Sequence, residues 1–273
     1  MHGVLIDLDG VIWEGSRLVT GAPAAIDWLT RKGIPYLFVT NTTSRPRRLI
    51  VDKLRSLGVH ADAKQILTPP VAADKWLADN SRDPAVLIVP DATKEDFTIR
   101  TAEPDDASTV GDIGAIVIGD IGDAWTYPLM NQVFRLLMRD PAPALIALGM
   151  TRYWRAEDGL RLDVAPFIKA FEHAAGCEAL VLGKPSPDFF AVALDEIGCG
   201  AADTLMIGDD LYGDVLGAQD AGLRGMLVKT GKFRRQDLEA DVKPDAILDS
   251  IAALPDWWSR EHVNQRVNSA ADC

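Results

Sequence analysis

Of the 273 residues, 48% are apolar and 25% charged, enough to close the core of one large α/β domain or of a domain carrying an insert. A formal charge of −12 argues against nucleic acid or a polybasic membrane attachment, both of which need clustered Lys and Arg. Cys177, Cys199 and Cys273 show no C-x-x-C spacing, so neither a disulfide framework nor a zinc site is expected.

Met1-His2-Gly3 leads straight into Val4–Leu8, a short Val/Leu/Ile run that reads as a buried strand broken by Gly10. That run is too short for a signal peptide, and no stretch nears the ~20 apolar residues of a membrane span, so a cytoplasmic location is expected. Pro23 to Lys32 has helical spacing and stops at Gly33; Tyr36–Val39 reads as a second strand, followed by the polar cluster Thr40–Ser44. Arg47–Leu57 is an amphipathic helix stopped by Gly58. Strand, helix, strand, helix with short links predicts a parallel sheet covered by helices.

The middle of the chain alternates on its own. Val86–Val89, Ala115–Ile118 and Ala144–Leu148 read as strands, and Met130–Met138 and Pro166–Ala175 as helices. Tyr153–Val164 reads as a hairpin turning at Asp158-Gly159. Pro69-Pro70 and Gly183-Lys184-Pro185 look like hinges at either end. After them come a helix at Phe189–Ile197, a strand at Leu205–Ile207, a helix at Val215–Ala221 and strands at Met226–Val228 and Ala246–Leu248. Leu254 to Trp258 begins a packing segment, and Asn264 to Cys273 should fray. The expected fold is α/β: a Rossmann-like doubly wound parallel sheet core with an inserted α/β cap domain. Its boundaries are 1–71 and 182–260 for the core, 72–181 for the cap and 261–273 for a polar tail.

Four segments carry chemistry, and ligands of open parallel sheets bind at strand carboxyl ends. In Asp7-Leu8-Asp9-Gly10-Val11, alternation puts two carboxylates on one side of a buried strand end, which calls for neutralisation. Mg²⁺ does this with hard oxygen ligands, and Gly10 lets the backbone turn closely; a solvated acidic turn is the other reading. Thr40-Asn41-Thr42-Thr43 offers hydroxyl and amide donors for phosphoryl oxygens, or simply a helix N-cap. Lys184 is either a fixed positive charge or a surface lysine. Gly208-Asp209-Asp210 with Asp214 supplies a further ligand and supporting acceptors, or helix capping.

In this order the four segments resemble the haloacid dehalogenase superfamily of phosphohydrolases over nearly the whole chain. Val4 to Val11 matches the D-x-D-G-[TV] motif, Thr40 the second motif, Lys184 the motif lysine, and Gly208, Asp209 and Asp214 the closing acidic motif. The insert sits where subfamily IIA carries its large C2-type cap. Thr40-Asn41, the Val11–Val19 flap and Gly222–Gly231 are similar to the branch holding nucleotide, 4-nitrophenyl, phosphoglycolate and pyridoxal phosphatases. Met130–Leu137 and Asp203–Lys232 resemble the haloacid dehalogenase-like hydrolase domain-containing protein 2 group and its phospholysine phosphohistidine inorganic pyrophosphate phosphatase neighbours. Several better-known relatives have Asn-Pro-Asp in the cap where this chain reads Gly149 to Trp154, so their substrate preferences do not carry across.

The resemblance implies a phosphohydrolase in which Asp7 attacks phosphorus and Asp9 serves as acid and then base. It implies Mg²⁺ held by Asp7, the Asp9 carbonyl and Asp209, with Asp210 and Asp214 orienting from behind. Lys184, Thr40, Asn41 and Thr42 would meet the phosphoryl group, and Arg152 would meet the substrate from the cap. The substrate would be a small phosphorylated compound, and a homodimer through the cap is expected. A catalytically weak binding protein of the same fold and a phosphoacceptor signalling domain are the alternatives.

Overall fold

Strand β1 (Gly3–Ile6) is buried along its whole length, and Gly10 ends the run with a left-handed turn, φ 82°. A computed structural model describes residues 2–104, 111–156 and 158–261. The expected frayed stretch from Asn264, and all of the 261–273 tail beyond Glu261, lie outside the described residues. The chain next forms a short hairpin, β2 (Trp13–Glu14) with β3 (Arg17–Leu18), then α1 (Ala22–Lys32), whose cap Gly33 adopts φ 65° and returns its amide to Leu29 and Thr30. Strand β4 (Tyr36–Val39) and helix α2 (Arg47–Ser56) follow.

Strand β5 (Ile66–Leu67) leads to α3 (Pro69–Asp79), where sequence reasoning expected a hinge. Both prolines are buried in its first turn, where their missing N–H groups have no partner to lose, and Thr68 caps it. The next elements are β6 (Ala85–Ile88), β7 (Thr101–Ala102), β8 (Ala115–Ile118) and α4 (Tyr127–Leu137). Helix α4 starts three residues earlier than expected because the Thr126 hydroxyl accepts the Leu129 amide and Pro128 fits the first turn. Then come β9 (Ala144–Ala147), the antiparallel hairpin β10 (Tyr153–Ala156) and β11 (Gly159–Leu162), α5 (Val164–Ala175) and β12 (Leu180–Val181).

The chain closes with α6 (Pro187–Ile197), β13 (Thr204–Gly208), α7 (Gly217–Asp220), β14 (Arg224–Val228) and β15 (Ala246–Leu248); residues 254–261 are helical. Between β13 and α7 lies a π-helical turn, Leu211–Leu216, where a regular helix beginning near Val215 was expected.

The described residues fall into two compact units. The first comprises residues 2–39, 53–65 and 194–261. Apart from the β2–β3 hairpin, its strands run parallel in the order β15-β14-β13-β1-β4. From β1 the chain moves outward to β4 and later returns on the other side as β13, which makes the β1/β13 boundary the switch point of the sheet. The second unit comprises residues 40–52 and 66–193. Its parallel sheet has the order β12-β9-β8-β6-β7 and its own core of Val86, Ile116, Ile118, Val133, Ile168 and Phe171. Both units are α/β, as the alternation of the sequence predicts. Among the described residues no helix is long and apolar enough to cross a membrane.

Candidate active site

At the switch point of the first unit, the Asp7 amide donates to the Ile207 carbonyl at 2.9 Å, so Asp7 and Asp209 leave adjacent strand ends side by side. Asp214 joins them from the π-helical turn, a device often found at functional sites. One carboxylate oxygen from each of Asp7, Asp209 and Asp214 lies within 4.8 Å of the others, and the residues are only 7, 2 and 2% exposed. At that spacing each ionised pair would repel by at least about 3.5 kcal/mol for an effective dielectric of about 20. Three buried hard oxygens so placed suit a divalent cation, which answers the repulsion directly.

The Asp209 and Asp214 carboxylates are fixed by backbone amides. The Asp209 carboxylate accepts the Lys232 amide at 2.6 Å. A Cβ on Gly10 would fall on that same carboxylate oxygen, and one on Gly231 would fall on it too and on the Gly10 Cα. Both glycines have positive φ, so the two turns close around Asp209 in a way that side chains would prevent. Asp214 accepts the Asp210 amide at 3.1 Å. Asp210 caps the π-helical turn instead, taking the amides of Tyr212 and Gly213. Burial opposes its charge, but the Gly213 amide and the Lys232 ammonium, 3.2 Å away, hold its carboxyl below the ordinary range.

Asp9 is exposed and stands outside this triad; its Oδ1 accepts the indole N–H of Trp13 at 2.6 Å. Trp13 and Glu14 belong to the β2–β3 hairpin. The Glu14 carboxylate takes the Gly231 amide at 2.8 Å, and this bond, with Arg17, keeps its carboxyl below the ordinary range. Sequence reasoning missed Trp13, Glu14, Gly231 and Lys232. For Gly231 and Lys232, the Thr230-Gly231-Lys232 turn soon after the buried strand β14 was the available signal.

The second unit holds the other expected groups. Thr40 is buried directly after β4, its hydroxyl 3.0 Å from that of Thr42 and accepting the Thr42 amide. Asn41 spans to a residue 143 positions away: its Nδ2 donates to the Lys184 carbonyl and its Oδ1 accepts the Lys184 amide, both at 2.8 Å. Its side chain thus sets the backbone of Lys184, whose side chain is buried. The Thr40–Thr43 loop does not cap α2. The Arg47 amide goes to the buried Asp96 at 3.0 Å, and Thr93 donates to the Thr43 carbonyl at 2.8 Å, so the 3₁₀ turn Asp91–Asp96 anchors the loop. Burial pushes the Asp96 carboxyl up despite Arg47. Arg152 is exposed just before β10, its guanidinium 5.8 Å from the Tyr153 ring centre.

A family model described as haloacid dehalogenase-like hydrolase matches residues 4–98, and a HAD-hydrolase-like model matches residues 181–254. The chain belongs to the haloacid dehalogenase-like hydrolases and, within them, to the phosphatases. It is 38% identical over 261 residues to phospholysine phosphohistidine inorganic pyrophosphate phosphatase of Homo sapiens, covering 94% of this chain and 93% of that protein. It is 39% identical over 249 residues to haloacid dehalogenase-like hydrolase domain-containing protein 2 of Bos taurus, with 91% of each covered. Among solved structures, p-nitrophenyl phosphatase from Archaeoglobus fulgidus superimposes with a TM-score of 0.81 at 26% identity, covering 93% of this chain and 97% of that one.

Proposed function

We propose that this chain is a Mg²⁺-dependent phosphohydrolase that works through an aspartyl phosphate on a small phosphorylated compound. The observation that carries the reading is the buried triad of Asp7, Asp209 and Asp214 at the sheet's switch point, with a fourth carboxylate, Asp9, two residues after Asp7. Asp7, Asp209 and the Asp9 carbonyl would hold Mg²⁺, with Asp214 and Asp210 supporting the arrangement. The ion would supply charge neutralisation for the phosphoryl oxygens.

Asp7 is the nucleophile: one carboxylate oxygen forms a bond to phosphorus as the bond to the leaving group breaks. Asp9 protonates the departing atom and then takes a proton from the water that hydrolyses the acyl phosphate. Lys184, Thr40, Asn41 and Thr42 bear on the phosphoryl oxygens; Asn41 does so through the lysine whose backbone it holds. We assign the cap to residues 72–181, which contain all strands of the second unit's sheet, with Arg152 meeting the substrate. A homodimer through the cap and a cytoplasmic location complete the proposal.

The names of the relatives direct the substrate screen: a phosphoamino acid with a P–N bond, pyrophosphate and aryl phosphates at fixed Mg²⁺. Asp7→Asn should abolish hydrolysis of 4-nitrophenyl phosphate while leaving the folded state intact, and excess EDTA should silence the wild type. Turnover by the Asn variant, or full activity in EDTA, sinks the nucleophile or the metal. A stable phosphoprotein without turnover would favour a phosphoacceptor module instead.

A further inference from the structure

Trp13 sits 3% exposed at the start of the β2–β3 hairpin, and its only polar atom donates to Asp9 Oδ1 at 2.6 Å. The geometry is not incidental to a flexible side chain. The Gly10 amide donates to the Trp13 carbonyl, the Trp13 amide reaches back to the Leu8 carbonyl at 3.3 Å, and Asp9 and Trp13 form an isolated backbone bridge. Behind the indole, the Lys53 ammonium lies 3.8 Å from the ring centre. A cation over the ring face draws electron density from the indole and makes its N–H a stronger donor.

An indole N–H only donates. The Trp13 bond engages Asp9 Oδ1 as an acceptor, which leaves Oδ2 as the oxygen to carry the transferable proton. We infer that Trp13, backed by Lys53, is a positioning residue that divides the labour of the two Asp9 oxygens. This rests on the reading of Asp9 as acid and base. In the first step Oδ2–H gives its proton to the leaving oxygen; the P–O bond breaks, its electron pair stays on that oxygen, and Asp7 forms the new bond to phosphorus. Asp9 is left as a carboxylate with the indole still on Oδ1. In the second step water attacks phosphorus and passes its proton to Oδ2, while the electron pair returns to Asp7 and Asp9 is reset.

The test is the dependence of kcat/KM on leaving-group basicity across substituted aryl phosphates, because poor leaving groups need the proton and 4-nitrophenolate hardly does. Trp13→Phe keeps the ring and removes the donor. It should lower kcat/KM about tenfold on the most basic leaving group, the loss of one hydrogen bond to a carboxylate, and less than about twofold on 4-nitrophenyl phosphate. Asp9→Asn should steepen the same plot further, by roughly a hundredfold at its basic end. Lys53→Met leaves Trp13 in place, carries the test if Trp13→Phe does not fold, and should steepen the plot less. An equal fall across the series in Trp13→Phe would mean packing alone and overturn the inference. A steep Asp9→Asn plot beside a wild-type Trp13→Phe plot would overturn Trp13 and spare Asp9. A flat Asp9→Asn plot would overturn both.

Discussion

Gly10→Ala tests how tightly the backbone is fitted around Asp209. Gly10 holds φ 82°, and an alanine there meets two obstacles. A left-handed backbone costs an L-residue about 1–2 kcal/mol. The new methyl would also occupy the place of the Asp209 carboxylate, which can yield only by giving up the Lys232 amide, a charge-assisted bond worth about 1.5–3 kcal/mol. Together the expected destabilisation is about 2.5–5 kcal/mol. Gly33→Ala is the matched control: φ is 65°, and nothing lies within 4 Å of its added Cβ, so only the strain of about 1–2 kcal/mol remains. Urea unfolding of both variants with and without Mg²⁺ separates the contributions. The wild type and Gly33→Ala should gain about 2.7 kcal/mol at a Mg²⁺ concentration a hundredfold above its dissociation constant. Gly10→Ala should gain almost none, because Asp209 has been displaced. If Gly10→Ala unfolds like the control and keeps its response to Mg²⁺, the close approach of Gly10 to Asp209 has no energetic meaning and the reasoning fails.

Three further outcomes can be checked. Asn41→Ala strips both partners from the Lys184 backbone and should cost about 1–2 kcal/mol in denaturant, with activity falling further than stability requires. Asn41→Asp should be worse at neutral pH, since a carboxylate oxygen would then face the Lys184 carbonyl. Glu172 on α5 accepts the Ala179 amide at 3.0 Å and pairs with Lys169 at 2.6 Å. Burial opposes its charge, but Lys169 and that amide hold its carboxyl below the ordinary 4.5. A depressed carboxylate stabilises fully above the unfolded value and loses that contribution as pH falls through the folded one. Glu172→Gln should therefore cost about 1 kcal/mol at pH 7, a deficit that shrinks below about pH 4.5 in pH-dependent melting curves. An unchanged deficit at pH 3 would assign the effect to shape, not charge.

The fold was largely legible because its signals are local. Apolar runs such as Val4–Leu8 and Ala115–Ile118 can only be buried strands, and Gly33 and Gly58 stop helices by their own backbone freedom. The misreadings are local too. Pro69-Pro70 suits a hinge and the first turn of a helix equally well, and only the cap at Thr68 decides. The helix after β13 was expected at Val215 because hydrophobic spacing does not register the wider π-helical winding that starts at Leu211.

The site divides the same way. Asp7 and Asp209 at strand ends follow from the sequence, since each directly follows a buried run and carries a charge that such a run cannot hold alone. The tertiary structure decided which carboxylates meet. Asp214 joins the triad through the π-helical turn, while Asp9, only two residues from Asp7, turns outward to Trp13. It also paired Asn41 with Lys184 across 143 residues. The sequence by itself determined the chemistry available and the strand ends that present it. Chain crossing at the β1/β13 switch point, and turns that glycine alone permits, decided which groups stand within reach, because such contacts depend on sheet order and backbone curvature that no local pattern encodes.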